Sequence, residues 1–187
     1  MAEQPQKASG SETGRVEFYF PAPNGLPVPV KPSRGRMEVF QRIESFDWNA
    51  VSGGRNSDLM HAGAFWLHGF LDESHVIAQG IHTVEGSYWH ALLHRSEGDF
   101  SNAMYWFRRV GNHAIFPELL TATKSLRSTS LNQLEPLEIL DEASEWRPQW
   151  FVDLCEEAYR GRFDNPGLLQ RIAAIEYNLL MGYCLEM

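Results

Sequence analysis

The chain of 187 residues is poor in several things, and each shortage excludes a class of protein. It has two cysteines, Cys155 and Cys184, with no CxxC spacing, so neither a disulfide framework nor a thiolate metal site is expected. Both fall in helical patterns and read as reduced core residues. No run of 18 apolar residues occurs, so no membrane span is expected. The opening MAEQPQKASGSETG lacks the apolar core of a secretory signal, and a cytoplasmic protein is the simplest expectation. Basic residues are in the minority: 16 Lys and Arg stand against 24 Asp and Glu, a net charge of -8. That balance argues against nucleic acid and against an anionic membrane surface as general partners, because both need a basic face. There is no glycine-rich phosphate loop, no G-x-S-x-G elbow, no HExxH and no internal repeat.

What is present suits a folded domain. At 43% hydrophobic and 12% aromatic, the chain can bury a full core. Residues 1–14 are polar and aperiodic and are expected to form a disordered tail. Residues 15–35 contain the extended run VEFYF and five prolines between Pro21 and Pro32, with a turn signal at Asn24-Gly25. They predict an extended, proline-rich arm, with a β-hairpin pairing Val16–Phe20 to Leu26–Val30 as one form it would take. Residues 36–187 predict a single all-α bundle of six to seven helices.

Helical spacing is clear in several places. Met37, Phe40 and Ile43 mark a short helix over 36–46, followed by a loop over 47–56. Residues 58–81 form the longest helical pattern, capped by Ser57. Its histidines, His61, His68, His75 and His82, recur every seven residues and would line one stripe that drifts about 20° per step. Gly63, Gly69 and Gly80 interrupt that pattern and weaken its continuity. Ser87 is the expected cap of a helix over 88–96 that Gly98 ends. Asp99 or Ser101 caps the next, which closes at Gly111. Pro117 sits in the first turn of a helix to about Leu126, and residues 127–144 read as a long connection. Pro148 and the pair Asn165-Pro166 open two final helices.

Chemistry concentrates between Ser87 and His113. His90 and His94 form H-x-x-x-H, which places two imidazoles one turn apart on one helical face, as two ligands of one divalent transition metal require. Two other readings stay open: buried histidines that satisfy hydrogen bonds, and a metal-free acid/base pair. Glu97 continues the same face about 10 Å beyond His90, too far to join both on one ion, and suits an outer partner or a substrate contact. A third ligand must come from another element, with Glu73, His75 or Glu85 as candidates; Asp72 stands one turn before His75. Arg108 and Arg109 occupy the last turn of their helix, where cations complement the dipole. Beside Tyr105, Trp106 and Phe107, they would also hold a carboxylate or phosphate, with Asn102 adding an amide contact.

The run DESHVIAQ (72–79), followed by GSYWHALLHRSEGDFSNAMYWFRRVGNH (86–113), resembles a family of helical proteins from bacteria and fungi whose members carry a stretch close to WHALxHRxEGDxxNAxYWFRRVGxH. The likeness spans roughly a fifth of the chain. It implies a shared helical fold and a shared site built from Glu73, His75, His90, His94, Arg95, Glu97, Asn102, Tyr105, Arg108, Arg109 and His113, and it implies no activity.

Two functions follow as expectations. The first is a small enzyme, or binder, of a small polar or anionic molecule, with its site between the 58–81, 88–97 and 100–110 helices. There, His90 and His94 act as metal ligands or as an acid/base pair, Glu73 or His75 completes the set, and Arg95, Arg108 or Arg109 holds an anion. The second is a non-catalytic interaction protein in which the same cluster is a satisfied polar network and the arm docks on a partner or a second copy.

Overall fold

A computed structural model describes residues 29–187 apart from 55, 129–137, 139 and 164. The predicted tail and the predicted arm hairpin lie outside the described residues. Among those described, the chain is all-helical, with nine helices: α1 (Met37–Ser45), α2 (Trp48–Ser52), α3 (Ser57–Leu67), α4 (Leu71–Ala78), α5 (Val84–Glu97), α6 (Phe100–Val110), α7 (Phe116–Ser128), α8 (Pro148–Tyr159) and α9 (Pro166–Glu186). No helix among these residues is long and apolar enough to cross a membrane.

The expected six to seven helices become nine for two physical reasons. Residues 47–56 are not all loop, since the Asp47 carboxylate accepts from Ala50 N at 3.0 Å and starts α2. That helix is then held by Trp48, which is buried and donates its indole N–H to Ile43 O at 3.1 Å. The second reason is that the 58–81 pattern is not one helix. It breaks at Gly69, whose φ of +72° lies in the left-handed region. A Cβ at Gly69 would also stand 2.3 Å from Ser33 O, so only glycine fits.

The break dissolves the histidine row. His61 stacks between Trp48 and Phe65, at centroid distances of 5.6 and 4.7 Å. His68 is buried at the end of α3, and His82 is exposed beyond α4. Only His75 is carried towards the chemistry-rich stretch, because α4 is re-aimed at the corner.

The core forms around α5, in which every residue from Glu85 to Ser96 is buried. It packs on α3, α4, α6 and α8, while α9 crosses α2, α3 and α7. Trp89, Tyr88, Phe65, Phe70, Phe107 and Phe151 are among the largest fully buried side chains. Each such burial stabilises the fold by about 1.5–3 kcal/mol. The helix begins earlier than expected: Thr83, not Ser87, is the cap and accepts from Gly86 N at 3.1 Å, while Ser87 donates back to Thr83 O. Other local signals hold. Asp99 caps α6 through Asn102 N, Gly98 ends α5 in the left-handed conformation, and Asn165 caps α9 ahead of Pro166. Cys155 and Cys184 are free and buried, and burial pushes each thiol up to about 12.

A helix buried on all sides has two functional faces, and α5 uses them differently. Its inner face carries Arg95, fully buried and paired with Glu176 of α9 at 2.6 Å. Tyr88 donates its hydroxyl to the other Glu176 oxygen at 3.1 Å, and the Arg95 guanidinium lies over Phe151 at 4.4 Å. Its outer face carries His90 and His94 towards α4 and α6.

Candidate metal centre

Three imidazoles converge where α4 meets α5. The i,i+4 spacing of His90 and His94 stacks their rings nearly parallel, 5.2 Å apart with 3° between planes. His75 comes across from α4 edge-on to both, at 4.5 and 5.2 Å. Its Nε2 lies 2.8 Å from Nε2 of His90. One ligating nitrogen from each of the three lies within 4.8 Å of the others. A tetrahedral ion with metal–nitrogen bonds near 2.0–2.1 Å needs nitrogens about 3.3 Å apart. The cluster therefore needs shifts of about an ångström to close on such an ion.

The surroundings favour a cation. Glu97 reaches behind two of the imidazoles at once, with one oxygen 3.9 Å from Nδ1 of His75 and the other 3.5 Å from Nδ1 of His94. Asp99 lies 3.8 Å from the same His94 nitrogen. Carboxylates behind metal-binding histidines orient the rings and raise their basicity. Burial pushes the Glu97 carboxyl upward; His75 opposes that rise, while Asp72 and Asp99 add to it. Burial likewise holds His90 down at about 4, with His75 and His94 adding to the effect, and it lowers His94 against the pull of Asp99. Both are therefore neutral near pH 7, the form a metal ligand requires. Two carboxylates beside neutral imidazoles repel a bare anion and attract a divalent cation.

Packing holds the site in place. Trp106 of α6 stacks on His90, with centroids 4.1 Å apart and planes 7° apart. The Asn102 amide lies 3.2 Å from Nε2 of His94. His90 and His94 are buried, whereas the His75 side chain is 31% exposed, so the cluster opens to solvent along α4.

The remaining predicted residues divide by position. Glu97, Asn102 and, through Trp106, Arg109 belong to this region; the Arg109 guanidinium sits 5.3 Å from the Trp106 ring centre. Arg108 and Tyr105 are exposed on α6. Glu73 is on α4 but is taken up by Arg34. Arg95 points into the core. His113 is also elsewhere, buried against Tyr88 and Tyr183 and 3.9 Å from Glu85. That distance places Glu85, a candidate third ligand, at the other end of α5; His75 supplies the third nitrogen.

Two partners escaped sequence reasoning. Glu176 had a signal: it follows Ile172 by one turn on the apolar face of α9, and a carboxylate on a core stripe demands a buried cation. Arg34 had none, since it lies in an aperiodic segment 39 positions from Glu73.

No protein-family model, no curated protein and no solved structure matches the chain.

Proposed function

We propose that this protein holds one divalent transition metal on His75, His90 and His94 and works on a small polar or anionic molecule at the open face of that ion. The observation that carries the reading is the convergence of three imidazole nitrogens from two helices, backed by a single carboxylate that serves two of them. Three protein ligands leave a coordination position for water or substrate, the arrangement typical of catalytic zinc. An ion held there lowers the pKa of a bound water and polarises a carbonyl or phosphoryl oxygen. Within that reading, Glu97 orients His75 and His94, Trp106 fixes His90, and Arg109 supplies the nearby positive charge for an anionic group.

Elemental analysis of the untagged protein tests this. Near-stoichiometric metal in the wild type and none in a His90→Ala/His94→Ala variant is the expected result. No metal in either, before or after incubation with zinc, nickel, iron(II) or manganese salts, overturns it.

A second reading, a non-catalytic polar network, has one observation in its favour: His75 and His90 already hydrogen-bond each other at 2.8 Å. Absence of metal in the experiment above would favour that reading.

A further inference from the structure

Two of the three imidazoles share one helix, and the third does not. The register of α5 fixes His90 against His94, whereas His75 depends on how the eight-residue α4 is held. Within the helical body, α4 is tied to α3 by Ser74, which donates to Ala62 O at 2.7 Å. A further restraint, beside its packing on α3 and α5, comes from residues 31–35, ahead of α1.

That segment is fastened at two places, and each is two residues from a ligand. Lys31 N donates to Ser96 O at 2.9 Å, at the end of α5 just past His94. The Lys31 ammonium lies over the Tyr159 ring at 3.7 Å and donates to Tyr159 O at 3.3 Å. Lys31 takes a left-handed φ of +49°, which kinks the chain at this anchor. At the other end, the Arg34 guanidinium pairs with both oxygens of Glu73, one of the contacts being 3.0 Å, in the first turn of α4 and just before His75. Arg34 also lies over Phe70, 5.0 Å from the ring centre.

Beside the Arg34 anchor the strap meets the α3–α4 corner closely. A Cβ on Gly35 would stand 2.7 Å from His68 O and 2.8 Å from the Phe70 ring, and Gly69 meets Ser33 O. Residues 33–35 therefore seat directly on the corner from which α4 springs.

We infer that residues 31–35 are a positioning strap for the metal centre, with Arg34 and Gly35 setting the distance between His75 and the His90/His94 pair. The inference rests on the metal reading above. It gives Glu73 a role different from acid/base chemistry: its carboxylate, bidentate to Arg34, aims α4.

Zinc affinity, measured by competition with a chromophoric chelator, tests the strap. Arg34→Ala should weaken zinc binding by about two- to fivefold, the scale of an exposed ion pair. Gly35→Val, which forces the strap off the corner, should weaken it by about tenfold. The exchanged pair Arg34→Glu/Glu73→Arg should recover most of the Arg34→Ala loss. In a His75→Ala background, where zinc has only the α5 ligands, neither strap variant should change affinity further; a merely destabilising effect would persist there. Wild-type uptake of zinc with unchanged affinity in both variants, or equal losses with and without His75, overturns the strap while leaving the metal centre standing. Wild-type protein that takes up none of zinc, nickel, iron(II) or manganese overturns the metal reading and the strap together.

Discussion

Nε2 of His75 and Nε2 of His90 face each other at 2.8 Å, from two helices, across fifteen positions of sequence. Without a metal, one of these nitrogens must donate and the other accept. The Nδ1 of His75 faces Glu97, which favours its proton there and leaves its Nε2 as the acceptor. His90 is then the donor. An ion held between them would need both Nε2 atoms as lone-pair donors, so the His90 proton would have to sit on its Nδ1 instead.

Replacing His75 separates the metal role from a structural one. His75→Ala should reduce zinc affinity by at least tenfold, because two ligands remain from one helix. It should leave the stability of the metal-free protein within about 1 kcal/mol of wild type, since His75 is partly exposed. Chelator competition and urea denaturation in EDTA measure the two quantities. A large stability loss with unchanged metal affinity would assign His75 to the scaffold.

Arg95 and Glu176 should behave in the opposite way. Both are almost wholly buried, and Glu176 accepts from Arg95 and Tyr88 at once. Glu176→Gln leaves the guanidinium buried without its counter-charge, a change that costs about 3–5 kcal/mol. Urea denaturation should show that loss, while a variant that still folds should keep its zinc affinity. The contrast with His90 tests whether the two faces of α5 are separate: His90→Ala should abolish tight metal binding and cost less metal-free stability than Glu176→Gln, because it removes a neutral buried ring and leaves no unpaired charge.

Much of this division was legible one residue at a time. Asp99, Gly98, Pro148 and Asn165-Pro166 mark helix ends through bonds that close within three or four positions, so local sequence suffices for them. The pairing of His90 with His94 is equally local. Gly69 is different: the apolar pattern runs through it, and the reason for the break is the Ser33 backbone pressing from far upstream. Arg95 reads as a site residue for a similar reason. Its neighbours are histidines, but its partner lies 81 positions away. Glu73 reads as a candidate to complete the His90/His94 set, and only the fold brings Arg34 to it.

The pH dependence of the metal-free protein follows from His90. Burial holds its folded pKa at about 4, against 6.5 for an unhindered imidazole. Between these values the unfolded chain binds a proton that the folded protein refuses, so stability falls as pH drops from 6.5 towards 4 and is intact above 6.5. Denaturation midpoints in EDTA at pH 7.5 and pH 5 should therefore move further apart in the wild type than in His90→Ala. Equal shifts would mean that His90 is solvated in the folded state.

Glu97 provides the sharpest test of the outer shell. Its two oxygens stand behind His75 and His94, and the carboxylate is about a third exposed. Glu97→Gln preserves the shape and removes the charge that raises the basicity of both rings. Zinc affinity should drop by about 10- to 100-fold, as it does when a carboxylate partner of a ligating histidine is lost. Folding stability in EDTA should barely change, because the side chain is not buried. Asn102→Ala serves as the comparison: its amide touches one imidazole and bears no charge, so its loss should weaken zinc binding less than the loss of the Glu97 charge. If the two variants weaken zinc equally, the electrostatic part of the site is smaller than the geometry implies, and ring orientation alone would account for the affinity.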